Sequence, residues 1–192
     1  PTRRSSDLIE KPFKHKSKIV KVTGSFGITK FPTDGTEVEN LVQNADIAMY
    51  HAKRVTKKNY HYFDNDIKQN AINEMQIENL MRTAIDEGEF SVYYQPIVAT
   101  ESTSLKGFEA LVRWNSKHLG FIYPDSFIGI AEKTGLINDL GLFVLDSACA
   151  FICKYNETYN TDLDVSINIS VIQLIEDDFV NTVLDTIKKH DI

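Results

Sequence analysis

The segment 105–114 carries a carboxylate and a guanidinium on one face of a predicted strand. The two-residue period of a strand groups Glu109, Leu111 and Arg113 on one side and apolar residues on the other. In an open sheet this side is a solvated surface with a cross-strand charge pair. In the lumen of a small barrel an ionised pair is costly unless it binds something. Spacing alone leaves both interpretations open.

A second predicted strand, 164–170, repeats the pattern with amide and hydroxyl groups. Ser166, Asn168 and Ser170 share its polar side. An Asn carbonyl and a Glu carboxylate are oxygen donors of the kind that Mg²⁺ and Mn²⁺ prefer. We expect Glu109, Arg113 and Asn168 to converge on one pocket at the carboxyl ends of adjacent strands, although an exposed polar surface explains the pattern of 164–170 equally well.

Gln95 is a third candidate, because it precedes a proline inside a predicted strand. Pro96 removes one hydrogen-bond donor from the strand ladder. The segment must therefore lie at an edge, at a bulge or at a strand end, where Gln95 can reach a ligand.

Hydrophobic periodicity and turn residues predict the elements that position these side chains. Thr36 and Glu39 have the spacing of a helix capping box. From about residue 89 the pattern is two strands, then helices alternating with a strand, which is typical of an α/β fold with an initial hairpin and later parallel pairing. The predicted strands are 18–29, 60–63, 90–99, 105–114 and 164–170, and the predicted helices are 36–52, 64–87, 125–135, 138–159 and 171–190.

Charge divides the chain near residue 60. Residues 1–60 carry 12 basic and 6 acidic side chains, whereas residues 61–192 carry 9 and 21, for a net charge of −6. The acidic total argues against binding to a nucleic acid polymer. Two cysteines are too few for a disulfide framework and indicate a reducing, cytoplasmic compartment. No apolar run reaches the length of a membrane span.

Several motifs follow one another in the second part of the chain. They are Tyr-Gln-Pro-Ile at 94–97, Gly-Phe-Glu-Ala-Leu-Val-Arg-Trp at 107–114, Pro-Asp-Ser-Phe-Ile at 124–128, Ala-Glu-Lys-Thr-Gly-Leu-Ile at 131–137 and Ile-Asn-Ile-Ser at 167–170. In order and spacing these motifs closely resemble those of the EAL-domain phosphodiesterases of cyclic di-GMP. Upstream, Val-Thr-Gly-Ser-Phe-Gly-Ile at 22–28 and Asn-Ala-Asp-Ile-Ala-Met-Tyr-His-Ala-Lys at 44–53 resemble the C-terminal half of a GGDEF domain.

The resemblance implies a fold and a domain order. The fold is an incomplete (β/α)8 TIM-like barrel preceded by a partial α+β domain of the nucleotidyl-cyclase type. The expected division is an unstructured segment or cloning remnant at 1–16, the GGDEF-like part at 17–63, a linking helix at 64–88 and the N-terminal part of the EAL domain at 89–192.

The resemblance also implies roles for individual residues. It matches Glu109 and Asn168 to metal ligands and Glu132 to an acidic position near the metals. It matches Gln95 and Arg113 to substrate contacts, and a guanidinium fork suits phosphate oxygens. Lys53 matches a phosphate-contacting lysine of GGDEF domains, and Lys57 matches a nearby basic position only weakly.

The activity implied for the whole protein is metal-dependent hydrolysis of cyclic di-GMP to linear pGpG with two Mg²⁺ or Mn²⁺ ions. Its implied setting is a cytoplasmic homodimer, and the resemblance leaves open whether missing N-terminal segments anchor the whole protein to the inner membrane. The rival interpretation is a receptor that binds cyclic di-GMP without hydrolysing it. The GGDEF signature loop and the later EAL ligands fall outside this sequence, so we expect no cyclase chemistry, no closed barrel and no hydrolysis from the 192-residue chain alone.

Overall fold

The structure is a computed structural model that describes residues 11–53 and 59–192. The chain divides into two compact units, Pro1–Asn73 and Glu74–Ile192. No helix in the part of the chain that the structure describes has the length and apolarity that a membrane crossing requires.

The first unit contains two small sheets and a helix. Strands β1 (Phe13–His15) and β2 (Lys18–Val20) form an antiparallel hairpin. Strand β3 (Phe26–Ile28) pairs in parallel with β4 (Tyr60–Tyr62), and helix α1 (Val38–His51) connects them. Gly27 allows this packing, because a Cβ there would collide with the α1 backbone at Ala45 and Met49.

Three expectations for this unit were wrong. The strand predicted over 18–29 is split into β2 and β3, with Gly24, a weak strand former, in the irregular stretch between them. Phe13–His15 pairs as a strand although residues 1–16 were expected to be unstructured. Helix α1 begins at Val38 with Glu37 at the N-cap and no side-chain cap bond, so Thr36 and Glu39 form no capping box.

Helix α2 (Asn65–Ala84) contains the division between the two units. The helix predicted over 64–87 is confirmed, but it ends three residues earlier, at Ala84. Asp64 caps it, because the Ile67 backbone N–H donates to Asp64 Oδ1 at 2.8 Å. A turn through 85–88 follows, and Gly88 there has the left-handed φ of 67° that favours glycine.

The second unit is a four-stranded sheet with helices. Strands β5 (Phe90–Val98), β6 (Leu105–Ser116) and β7 (Gly120–Ile122) pair antiparallel in that order, and β8 (Asp164–Ile167) pairs in parallel with β6. The helices are α3 (Pro124–Thr134), α4 (Ile137–Tyr159), α5 (Val171–Leu174) and α6 (Phe179–Lys189). The described sheet does not close into a barrel.

One face of this sheet is apolar and packs on the helices. Trp114 is completely buried, its ring stacks on Phe90 at 5.1 Å, and the edge of Phe127 from α3 completes the contact. Further along β6, Ala110 packs with Val144 and Ala148 of α4. The predicted apolar face of segment 105–114 is thus confirmed as the core of the unit.

The other predictions for this unit were mixed. Strands β5 and β6 and helices α3 and α4 are confirmed, and β5 lies at the sheet edge, as the proline in it requires. Strand β7 was not predicted. The strand expected to reach residue 170 stops at Ile167, because Ser170 caps α5 instead. The helix expected over 171–190 is broken between α5 and α6, where acidic residues 176–178 precede the new helix N-terminus and favour its dipole.

Gly107 gives a first test of the sheet. A Cβ at this position would lie 2.5 Å from the Asp164 carbonyl oxygen, so Gly107→Ala must push β8 away from β6. We expect a loss of about 1–3 kcal/mol in the free energy of unfolding, measured by urea titration.

Gly129→Ala is the matched control. Gly129 lies in the interior of α3 with open space around its Cα, so alanine should stabilise the chain by about 0.5–1 kcal/mol. Equal effects of the two substitutions would contradict the close approach of β6 and β8.

Candidate functional site

The polar face of the second unit's sheet joins Glu109 to Asn168. Asn168 Nδ2 donates a hydrogen bond to Glu109 Oε1 at 2.8 Å across 59 residues of sequence. Glu109 is half-buried and Asn168 is exposed. The predicted convergence of these two side chains is therefore present.

Strand register explains this contact. Glu109 lies opposite Gln95 on β5 and opposite Ser166 on β8, so the three side chains form one row on one face. Asn168 follows the end of β8 and reaches back to this row. Glu109 is the fifth residue of the 12-residue β6 and pairs with Ser166 near the end of β8. It therefore does not lie at the carboxyl end of its own strand, and that part of the expectation was wrong.

Arg113 lies on the same face but does not pair with Glu109. Its Nη1 donates to the Val112 carbonyl at 2.9 Å, and its guanidinium carbon is 5.6 Å from the centre of the Tyr93 ring. No ion pair between Glu109 and Arg113 occurs in the described ranges. The charge pair that an open, solvated sheet would have is therefore absent from the described residues. The Glu109 carboxylate has no basic partner there and can bind another cation.

A cleft of about 260 Å³ opens beside this face. It lies along the edge of β6 between the short strands β7 and β8, where Leu111 and Arg113 have no neighbouring strand on that side. Apolar side chains of α3 and α4 form part of its wall. The polar groups that line it are those of Arg113, Glu132, Asn168, Ser170 and Gln173.

Glu132 reaches the cleft from α3 and is held by the segment after β8. Ser170 Oγ donates to Glu132 Oε1 at 2.6 Å. The same hydroxyl accepts the Ile172 backbone N–H, and Gln173 Oε1 accepts the Ser170 N–H, which completes a capping box for α5. This network fixes the loop that carries Asn168, while Glu132 faces Ser170.

Within the described residues no hydrogen bond joins the remaining predicted residues to Glu109 or Asn168. Gln95 is exposed on the edge strand opposite Glu109. Lys53 is exposed just beyond α1 in the other unit, and Lys57 lies outside the described residues. Within the described ranges no three His, Cys, Asp or Glu side chains form a group that could hold a metal ion.

The chemistry of the Glu109–Asn168 pair nevertheless fits a divalent cation. The hydrogen bond uses Glu109 Oε1 and Asn168 Nδ2, so the second carboxylate oxygen of Glu109 and the single amide oxygen of Asn168, Oδ1, can still coordinate. Mg²⁺ prefers six oxygen ligands and commonly takes only one or two from carboxylates, with water or substrate phosphate as the others. The pair therefore supplies part of a ligand set.

Comparisons with known proteins cover both units. A family model described as "EAL domain" matches residues 78–192, and one described as "Diguanylate cyclase, GGDEF domain" matches residues 2–59, including the segment that we had set aside as a possible remnant. The bifunctional diguanylate cyclase/cyclic di-GMP phosphodiesterase MucR of Pseudomonas aeruginosa is 33% identical over 95% of this chain and 27% of its own length. The signaling protein YkoW of Bacillus subtilis is 34% identical over 98% of this chain and 23% of its own.

Solved structures agree with these matches. One described as "PaMucR Phosphodiesterase, c-di-GMP complex" superposes with a TM-score of 0.59 at 32% identity, over 61% of this chain and 47% of that one. The chain spans about a quarter of the length of the curated relatives named above.

Glu89 is a residue of structural importance that the sequence interpretation missed. It is a buried carboxylate just before β5, and it accepts the Trp114 indole N–H at 2.9 Å and the Lys117 backbone N–H at 3.2 Å. Burial alone would raise the pKa of Glu89, but the hydrogen bonds from Trp114, Lys117 and Ser116 outweigh it and leave this pKa below its usual value. Glu89 lies one residue before β5 and 25 residues from Trp114 in the sequence, so hydrophobic periodicity could not predict their contact.

Replacement of Glu89 by glutamine tests this anchor. A folded-state pKa that is lowered contributes stability above the unfolded-state pKa and loses it as the pH falls through the folded-state pKa. We expect Glu89→Gln to cost about 1–3 kcal/mol at neutral pH, and the difference from the parent to shrink below about pH 5. Trp114 is the single tryptophan, so its fluorescence during urea unfolding reports the change directly.

Glu87→Gln is the control for this experiment. Glu87 is an exposed acid two residues away whose partner is the Lys117 ammonium at 2.8 Å. Exposed ion pairs contribute little, so this variant should unfold like the parent. An Glu89→Gln variant with an unchanged unfolding curve and emission maximum would show that the buried carboxylate does not anchor the tryptophan.

Proposed function

The chain belongs to the EAL domain family, with a GGDEF region before the EAL part, and from this premise we propose that the protein containing it hydrolyses cyclic di-GMP. The observation that carries the proposal is the Glu109–Asn168 contact of 2.8 Å beside the cleft that Arg113 lines. Support also comes from relatives whose names include cyclic di-GMP phosphodiesterase, among them NbdA of Pseudomonas aeruginosa and PdeR of Escherichia coli.

The proposed reaction is the cleavage of one phosphodiester bond to give linear pGpG. Water adds its oxygen to phosphorus, the bond to one ribose oxygen breaks, and that oxygen takes up a proton. When bound, a pair of Mg²⁺ or Mn²⁺ ions would lower the pKa of the attacking water and neutralise charge on the phosphoryl oxygens. Glu109 and Asn168 would hold one of these ions through their free oxygens.

Arg113 and Gln95 bind and orient the substrate in this proposal. The Arg113 guanidinium uses one of its five N–H donors on the Val112 carbonyl, so the others remain for phosphate oxygens. Its contact with the Tyr93 ring limits the directions in which the guanidinium can point. Gln95, opposite Glu109, offers an amide to the same ligand from the neighbouring strand.

Glu132 has a positioning role. Its carboxylate accepts the Ser170 hydroxyl, and Ser170 in turn caps α5 and ends the loop that begins at Asn168. Loss of this bond would free the loop and with it the Asn168 amide.

A receptor that binds without hydrolysis is the alternative function. Such a protein needs groups that recognise the dinucleotide, such as Arg113 and Gln95, but it needs no ligand pair for a cation. The half-buried Glu109 carboxylate held against Asn168 favours the enzyme.

Substitutions in the whole protein test the proposal. Glu109→Ala removes a ligand and should lower kcat by about a hundred-fold or more. Arg113→Ala should mainly raise KM, by about ten-fold or more, because it removes charge-assisted hydrogen bonds to phosphate. Both are measured as pGpG formed by pure protein with Mn²⁺.

Glu101→Ala is the matched control, since Glu101 is an exposed acid in the turn between β5 and β6. It should hydrolyse cyclic di-GMP at the parent rate. Full turnover by the Glu109→Ala variant would contradict the role of Glu109, and tight binding without turnover by the parent would favour the receptor. Because residues 11–53 and 59–192 bring only two candidate ligand side chains into contact, we expect the 192-residue chain alone to form no pGpG.

A further inference from the structure

The hairpin of the first unit carries a concentrated positive charge. We use the name basic hairpin for residues 11–21, which form β1, β2 and the residues beside them. No Asp or Glu occurs between residues 11 and 33. Within the basic hairpin the cations are Lys11, Lys14, Lys16, Lys18 and Lys21, and all five are exposed.

These lysines are not used by the described fold. None of them belongs to an ion pair within residues 11–53 and 59–192. By contrast, the next lysine in the chain, Lys30, lies over the Tyr62 ring at 5.0 Å. Five like charges on one short hairpin repel one another, so the fold gains no stability from them.

Apolar side chains stand among the lysines. Ile19 is 78% exposed, and strand register sets it directly opposite Lys14 on the same face. Phe13, on the other face, is 51% exposed. Of the basic hairpin only Val20 is half-buried, so the hairpin contributes little to the core of its unit.

The turn of the hairpin also contains a lysine, Lys16, at a position where glycine, asparagine or aspartate is usual. Lys16 has a φ of 54°, a left-handed conformation in which hairpin turns favour Asn, Asp or Gly. A two-stranded ribbon is marginally stable by itself, and this residue weakens it further. A surface that covers the ribbon and neutralises it would supply the missing stability.

From these observations we infer that the basic hairpin binds the surface of a membrane that contains anionic lipid, with Ile19 entering the interface and the lysines meeting the headgroup phosphates. The choice of a membrane over a nucleic acid follows from side-chain chemistry. The hairpin has no arginine for bidentate contacts to phosphate. The apolar side chain that shares a face with Lys14 is the aliphatic Ile19, which cannot stack on a base, whereas the aromatic Phe13 lies on the other face. The inference is independent of the proposed hydrolysis.

Vesicle flotation with the 192-residue chain tests the inference. We expect the chain to float with vesicles of phosphatidylcholine and phosphatidylglycerol, but not with vesicles of phosphatidylcholine alone. Flotation should fall as salt rises, because exposed charges are screened. Aggregated protein remains at the bottom of the gradient and is not counted as bound.

Three variants locate the binding surface. The double variant Lys14→Gln/Lys18→Gln should lower the partition coefficient by about 25-fold, since each lysine contributes about five-fold. Ile19→Ser should lower it by about five-fold or more. The control Lys106→Gln/Lys154→Gln removes the same charge from exposed positions of the second unit and should bind like the parent. Circular dichroism of each variant confirms that it is folded.

Several outcomes would overturn the inference. Equal flotation with neutral vesicles, or equal losses in the hairpin and control variants, would exclude a specific role for the hairpin. Unchanged binding by Ile19→Ser would contradict the entry of Ile19 into the interface. Tighter lysine-dependent binding to duplex DNA than to the anionic vesicles would assign the hairpin to a polyanion other than a membrane.

Discussion

Parallel pairing of β6 with β8 is the constraint on which the candidate site depends. It brings Glu109 level with Ser166 and lets Asn168, just past the strand end, donate to the carboxylate from 59 residues away. A slip of one residue would turn Glu109 to the apolar face and would bury its charge against α4. Gly107 permits the two backbones to approach at the start of this pairing.

The opposite end of β6 is held by a different interaction. Trp114 is buried between Phe90 and Phe127, and its indole N–H is bound by the Glu89 carboxylate, which also accepts the Lys117 backbone N–H after the strand. The strand is therefore fixed by backbone approach at one end and by a buried, hydrogen-bonded charge at the other. Arg113 and Glu109 lie between these two anchors, on the face that remains open to a ligand.

The periodicity of the sequence was sufficient to predict the central part of this arrangement. The alternation in β6 separates Glu109 and Arg113 from the apolar residues that pack on α3 and α4, and the same alternation in 164–170 assigned Asn168 to the polar side. Pro96 correctly indicated an edge strand. These features are local, and a period of two determines which face each side chain occupies.

The features that were not predicted depend on contacts between distant residues. The end of β8 is set by the Ser170 cap and its bond to Glu132 on α3, and no strand pattern contains that information. The pattern was also compatible with a cross-strand charge pair, but neither Glu109 nor Arg113 belongs to an ion pair in the described residues, and Arg113 turns to the Val112 carbonyl and the Tyr93 ring. The roles of Glu109, Arg113, Gln95, Glu132 and Asn168 in catalysis stay predictions, as do those of Lys53 and Lys57 in the GGDEF part.

The central claim is that Glu109 and Asn168 together hold a catalytic cation next to Arg113. Its most direct test is a crystal structure of the whole protein grown with Mn²⁺ and cyclic di-GMP, with anomalous scattering recorded at the manganese edge. Our account predicts an anomalous peak within coordination distance of a Glu109 carboxylate oxygen and of Asn168 Oδ1, with a substrate phosphate beside the Arg113 guanidinium. A peak bound elsewhere, with Asn168 Nδ2 still donating to a Glu109 that coordinates nothing, would contradict it.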